Sequence, residues 1–260
     1  MNYVTIYFSP TGNSKKSAVS ITDALAEGNE YRRIDLTTYG ARETKIQFSE
    51  NDFIVFGVPV YNGRIPQIAV QRLNKVRGKQ TPCIVTVTYG NRNYDDALLE
   101  LADLVKANGF VVQAAAALIG QHTFGEIQVG RPNESDVKEN QQFVEAFLEV
   151  LKNESHTDSV NLSIKGERPY MEGGNGANFR PQTEDTCSKC GICVRNCPTG
   201  AIDLDCRTID SERCISCFRC IRYCPSQSKI MNDSNYIKFA EDFSKQLSLR
   251  RENEYFLPEK

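Results

Sequence analysis

Eight of the ten cysteines fall into two copies of one pattern. Cys187, Cys190, Cys193 and Cys197 are spaced C-x2-C-x2-C-x3-C with Pro198 next, and Cys214, Cys217, Cys220 and Cys224 repeat that spacing with Pro225 next. An iron–sulfur cubane needs four thiolates converging on the corners of a small cage. The two-residue gaps let one turn of backbone present three of them, and the Cys-Pro step stiffens the exit. Paired C-x2-C runs also hold zinc, and that alternative stays open for either run taken alone. A third cysteine step and a terminal Cys-Pro in both copies favour clusters. Disulfides need an oxidising compartment, of which the chain gives no sign.

Two such runs in tandem resemble the bacterial two-cluster ferredoxins. The resemblance implies two [4Fe-4S] clusters, each held by three thiolates of one run and the fourth of the other. Cys187, Cys190, Cys193 and Cys224 would hold one, and Cys214, Cys217, Cys220 and Cys197 the other.

A chain of 260 residues suits one large domain or two modest ones. Its 31 basic and 33 acidic residues nearly cancel, so no charge excess points to nucleic acid or a membrane surface. No apolar run approaches the length of a membrane span. The opening MNYVTIYFSP reads as a strand and lacks the basic start, apolar core and cleavage site of a secretory signal. With thiolates in cluster spacing, this predicts a cytoplasmic protein in a reducing, oxygen-poor setting.

The elements that must carry a site come before the cysteines. Residues 3–8, 31–36, 52–58, 82–89 and 110–119 are short apolar or β-branched runs, as expected of strands buried on both faces. Helical patterns lie between them: Val19, Ile21 and Leu25; Ile68, Leu73 and Val76; Leu98, Leu101, Leu104 and Val105, stopping at Asn108-Gly109; and a fourth over about 134–152. This alternation over 1–153 predicts a parallel sheet with helices on both sides, which binds ligands beyond the carboxyl ends of its strands. Residues 154–182, with Gly173, Gly174, Gly176 and two prolines, read as a linker or extended wrap. The cysteine domain spans 183–230. In the tail, 231–260, Tyr236, Phe239, Phe243 and Leu247 step at helical spacing, which predicts an amphipathic helix packed on the body or, alternatively, docking a partner.

The loop after the first strand is Ser9-Pro10-Thr11-Gly12-Asn13-Ser14, with a helix starting at its end. Small hydroxyl residues and a glycine let backbone N–H groups point into one concavity, and a helix N-terminus adds positive potential, which makes a phosphate cradle. The spacing fits neither a P-loop nor a dinucleotide fingerprint. SPTGNS is similar to the FMN-phosphate loop of flavodoxins, T/S-x-T-G-x-T/S. The resemblance implies an FMN cofactor and two further loops holding its ring. Residues 59–64 (Pro59, Val60, Tyr61, Asn62, Gly63, Arg64) and 88–92 (Thr88, Tyr89, Gly90, Asn91, Arg92) follow the third and fourth strands. Tyr61 and Tyr89 are then expected to flank the ring, with Gly63 and Gly90 letting backbone approach its polar edge. Arg92 beside the ring departs from the acidic surroundings usual in flavodoxins and would favour the reduced anionic flavin. Response regulators share the topology but need an aspartate where this third strand ends FGVP.

Other residues are expected to do less. Cys83 reads as a buried small residue, and Cys206 as a loop thiol outside both cysteine runs. His122 reads as either an ordinary loop histidine or a group orienting a proton near the flavin. His156 in the linker carries no signal. Arg219 and Arg222 read as solvated, with docking of a partner or carboxylate as the alternative.

Residues 1–230 thus resemble a flavodoxin–ferredoxin fusion: a flavodoxin-like, doubly wound five-stranded α/β domain followed by a small α+β two-cluster domain. The function implied is an electron-transfer flavoprotein or oxidoreductase passing electrons between clusters and FMN. A pure carrier exchanging electrons with a redox partner protein is the alternative, and a redox sensor a third. A partner protein or a small-molecule acceptor is implied; the oligomeric state is not.

Overall fold

The predicted alternation resolves into a central sheet covered on both faces. The computed structural model describes residues 1–153 and 162–258; His156 lies outside them. Five strands, β1 (Asn2–Tyr7), β2 (Arg32–Asp35), β3 (Asp52–Pro59), β4 (Thr81–Tyr89) and β5 (Phe110–Ile119), pair in parallel in the order β2-β1-β3-β4-β5. This is the flavodoxin-type order, whose reversal between β1 and β3 opens a crevice at the carboxyl ends of those strands. Alternate residues face opposite layers. Val55, Ile84 and Ala116 meet Ile21 and Leu25 of α1 (Asn13–Ala26) and Phe143 and Phe147 of α4 (Glu134–Asn153). Phe56, Val85 and Ala115 meet Leu73 of α2 (Gln67–Leu73) and Leu98, Leu101 and Val105 of α3 (Ala97–Ala107).

Two expectations need correction. The second helix ends at Leu73, short of Val76. Val76 enters a two-residue strand paired with Ile46 and is buried in the main core, because a β-branched residue gains more from that pairing than from a further helical turn. The sheet also has a sixth strand, β6 (Glu254–Phe256), antiparallel to β5, inside the segment expected to be only helix and tail. Three residues are too few to show a period. Tertiary contacts hold β6: Tyr255 stacks on Phe143 (centroids 4.9 Å apart, planes 26°) and its hydroxyl donates to Asn140 Oδ1 at 2.8 Å.

Residues 162–182 form an ordered strap rather than a free linker. Leu162 and Ile164 pack on the main core. The N–H groups of Glu167 and Met171 donate to Asp96 at 2.8 and 2.7 Å, and the Arg64 guanidinium joins Glu100 to the Met171 carbonyl. The strap leads into the cysteine domain, which holds two short helices, α5 (Ile192–Asn196) and α6 (Arg219–Arg222), and a ladder pairing Gln182–Thr183 with Lys229–Ile230. Helix α7 (Ser234–Gln246) follows, its first turn capped by Asp233, whose carboxylate accepts the N–H groups of Asn235 and Tyr236 at 3.0 Å. The chain then returns to the sheet, where Asn91 donates to the carbonyls of Leu247 and Leu249 at 2.9 and 2.7 Å.

Because β6 is held by side chains rather than by length, Tyr255→Ala is expected to cost about 1–3 kcal/mol, below the range for a fully buried ring because Tyr255 is half-buried. Urea unfolding of the full chain, compared with Tyr31→Ala at the exposed side of the sheet, measures it; equal midpoints would show that β6 adds nothing.

Candidate functional site

The first loop leaves β1 and turns into α1 at Gly12, whose φ of +95° favours glycine and around which an added Cβ would find open space. No side chain caps α1. Ser9 braces the loop from below: its N–H donates to Thr37 Oγ1 at 2.8 Å and its Oγ accepts the Lys15 N–H at 3.0 Å. The N–H groups of Thr11 to Ser14 make no hydrogen bond among the described residues. Thr11, Asn13 and Ser14 line a cavity of about 380 Å³ at the carboxyl end of the sheet. An uncapped helix start and free amides suit an anion there.

The second and third loops reach the same cavity unequally. Pro59, Tyr61, Asn62, Thr88, Gly90 and Arg92 line it. Thr88 Oγ1 is buried without a hydrogen-bond partner among the described residues, an orphan that a polar ligand edge would satisfy. Gly63 is not in the wall; it lies under the strap, where a Cβ would strike Met171 and Asp95. Asn91 is spent on anchoring the tail. Tyr89 borders the cavity, but its ring packs in the core on Tyr94 at 5.3 Å, and burial pushes its phenol up to about 12. Of the two tyrosines expected to flank a ring, Tyr61 has no such competing stack among the described residues. Arg92 is paired with Asp95, so its charge is largely neutralised.

An aromatic wall of the cavity comes from His122, one of whose two expected roles lay near the ligand, and from phenylalanines that carried no site expectation. His122, Phe124, Phe239 and Phe243 line the cavity. Any Cβ at position 90 would meet the His122 ring at 2.2 Å, so Gly90 is required by that ring. His122 Nδ1 lies 2.9 Å from the Phe124 N–H and 3.1 Å from the Phe124 carbonyl, so the backbone of residue 124 holds that side of the ring. Burial pulls its pKa down to about 4. It is neutral in the wall at pH 7. Phe124 is a hub: Phe179 of the strap, Phe218 of the cysteine domain and Tyr236 and Phe239 of α7 all lie 5.1–6.2 Å from it.

The cysteine domain supplies the remaining wall. Ile215 and Ser216, between Cys214 and Cys217, line the cavity together with Gly176 and Ala177 of the strap. Arg219, expected to be solvated, is 6% exposed; it donates to the Pro10 carbonyl at 2.8 Å, the Ser9 carbonyl at 3.3 Å and Asn196 Oδ1 at 3.1 Å. From the other side Arg72, 2% exposed, donates to Thr37 O at 2.7 Å and Pro198 O at 2.5 Å. Arg222 shows no comparable contact.

Within the domain, a small cavity gathers Cys187, Cys190, Cys193 and Cys224, three thiols from the first run and the last from the second. Cys197 lies near enough to Cys214, Cys217 and Cys220 to act on each electrostatically, as Cys193 does on Cys220. Burial pushes Cys193 up to about 11 and Cys220 up to about 12, with the Lys229 charge opposing it in both. At Cys224 burial is outweighed by the Ser226 hydroxyl and by N–H groups of residues 226, 228 and 229, and the thiol lies below its ordinary value. Such donors to sulfur are what tune a cluster. Among the described residues no three thiol, imidazole or carboxylate groups converge as a single ion's shell requires. Cys206 is buried beside Cys193 in that first cavity rather than free in a loop, and Cys83 is buried in the sheet as expected.

His122 gives a pH signature. Between pH 6.5 and about 4 the unfolded chain takes up a proton that the folded chain refuses, so stability rises with pH across that window. The effect amounts to no more than about 3 kcal/mol. Urea midpoints measured at pH 4.5 and 7 should converge in His122→Gln; an unchanged difference assigns the pH dependence to other groups.

Residues 186–228 match the family described as "4Fe-4S dicluster domain". No curated protein sequence matches the chain at a significant level. Solved structures similar to the N-terminal part include flavodoxin 2 from Bacillus cereus (17% identity, TM-score 0.41, covering 58% of this chain and 99% of that one). An archaeal flavodoxin gives 13%, 0.38, 59% and 100% in the same order. The NAD(P)H:quinone oxidoreductase from Methanothermobacter marburgensis gives 11%, 0.36, 60% and 99%. The strand order, not these scores, carries the fold. No helix among the described residues is long and apolar enough to cross a membrane. The chain joins an α/β domain of flavodoxin-like topology to a segment that matches the 4Fe-4S dicluster domain family.

Proposed function

We propose that the protein passes electrons between FMN and two [4Fe-4S] clusters inside one chain. FMN exchanges electrons singly or in pairs, and the clusters carry them one at a time. The observation that carries this reading is the shared wall: Ile215 and Ser216, flanked by cluster ligands Cys214 and Cys217, border the same cavity as the phosphate loop and Tyr61. In this reading Thr11 to Ser14 hold the phosphate by their amides and hydroxyls. Tyr61 lies along one face of the ring, and the His122 imidazole and Thr88 hydroxyl serve its polar edge. Cys214, Cys217, Cys220 and Cys197 hold the near cluster; Cys187, Cys190, Cys193 and Cys224 hold the far one. Ser188, Lys189 and Cys190 are exposed, so the far cluster is the contact point for a one-electron partner protein, in a reducing cytoplasm. Phe239 and Phe243 of α7 close the flavin side, which favours a protein partner over a bulky organic substrate.

Two experiments test this. FMN should bind at least about a hundredfold more tightly than riboflavin, about 2.7 kcal/mol, and Thr11→Ala and Gly12→Val should remove most of that difference. Equal binding of the two flavins would end the phosphate-loop assignment. After photoreduction of the flavin in dilute anaerobic protein, cluster reduction should proceed at a rate independent of protein concentration. A rate that scales with concentration would instead mean exchange between molecules, and the pure-carrier reading would replace the internal one.

A further inference from the structure

The cysteine domain is an internal repeat, and at one buried position the copies differ in charge. Five residues after the last cysteine of the first run stands Ile202; five after that of the second stands Lys229. Both are buried, at 5% and 2% exposure. Ile202 sits in an apolar shell with Cys193, Cys206 and Cys220. Lys229 lines the cavity that gathers Cys187, Cys190, Cys193 and Cys224.

An ammonium taken out of water needs compensation. Among the described residues Lys229 makes no ion pair, and its Nζ has one side-chain partner, Thr183 Oγ1 at 2.6 Å, across the Gln182–Thr183 ladder. A hydroxyl does not neutralise a cation. The Lys229 charge reaches the exposed carboxylate of Asp205; the buried groups beside it that carry negative charge when loaded are the thiolates, and its field reaches Cys193 of one set and Cys220 of the other. Four thiolates on a cubane leave an assembly that is net negative and gains a further unit of charge on reduction. A fixed cation at its wall stabilises the reduced form more than the oxidised one.

We propose that Lys229 is the internal counter-charge of the far cluster and raises its reduction potential, so that an arriving electron rests beside Cys187, Cys190, Cys193 and Cys224 before moving inward. The inference rests on the two-cluster reading. It makes the repeat electrically asymmetric by one side chain, with Ile202 as the uncharged counterpart.

Anaerobic redox titration of the full-length holoprotein, followed by EPR, tests it, with iron and acid-labile sulfide counted in every sample. Lys229→Met should lower the equilibrium constant for one reduction step about tenfold, or about 59 mV for a one-electron couple. The other step should move less, and Lys229→Arg should stay within about twofold of wild type. Full iron with both steps unmoved in Lys229→Met overturns the proposal. If Lys229→Met sheds iron, Lys229→Gln, which can still reach Thr183, is titrated by the same criterion. Should both neutral variants shed iron, retention in Lys229→Arg supports the counter-charge, and loss there too overturns it in favour of a requirement for shape. Wild-type protein without eight irons would instead defeat the two-cluster reading itself.

Discussion

A guanidinium buried in protein must find its hydrogen-bond acceptors there, and Arg219 finds them in the other domain. Its donors reach the carbonyls of Ser9 and Pro10, which open the loop between β1 and α1. Arg72 makes the reciprocal contact, from α2 to the Pro198 carbonyl directly after Cys197. Each arginine ties the backbone next to one cofactor's cradle to the domain that carries the other. Removing either guanidinium would leave buried carbonyls unpaired, a cost of about 1–3 kcal/mol each, so the two domains are held in one register rather than tethered. This fixed register is what lets Ile215 and Ser216 serve as cavity wall.

How much of this was legible in the sequence follows from what each feature depends on. The parallel sheet was legible because burial on both faces leaves unbroken apolar runs, and each expected strand appears within about two residues of its place. The dicluster segment was legible because its signal is nearly local: two cysteine runs of one spacing, each ending in Cys-Pro, within the residues that match the 4Fe-4S dicluster domain. The loops at the strand ends were legible as positions but not as orientations. Tyr89 turns into the core because Tyr94 offers it a ring, and Asn91 is consumed by the tail. Neither partner has any period or spacing that points to it. Arg219 looked solvated for the same reason, since a charge in a short cysteine loop reveals nothing of the domain it will meet.

His122 and Phe124 illustrate the limit more sharply. In the sequence they are two residues in a loop after β5. In the fold, Phe124 becomes the meeting point of four chain segments, and His122 becomes the reason position 90 must be glycine. Each constraint is mutual: the ring needs the missing Cβ, and the aromatic hub needs the strap, the cysteine domain and α7 all in place. Long-range convergence of this kind leaves only composition in the sequence, here a tail rich in phenylalanine and tyrosine at helical spacing.

The same convergence bears on how the sites depend on one another. The cavity is lined by the α/β domain, the strap, the cysteine domain and α7, so no single domain owns it. Tetracysteine sites take their shape from the metal they hold, because bare thiols in a small loop-rich segment have little core of their own; here that segment's apolar shell amounts to a few residues around Cys193, Ile202 and Cys206. Whatever orders the cysteine domain therefore also orders Ile215, Ser216 and Arg219, and through them the phosphate loop. A ligand in the cavity and clusters in the thiol sets stabilise overlapping structure, and linkage requires each to favour the other by the same free energy. The α/β domain alone carries the flavodoxin strand order, but its first loop lacks two acceptor contacts and one wall until the cysteine domain is seated. The loop between β1 and α1 is in this sense an interface element first, and its surroundings are complete only in the assembled chain.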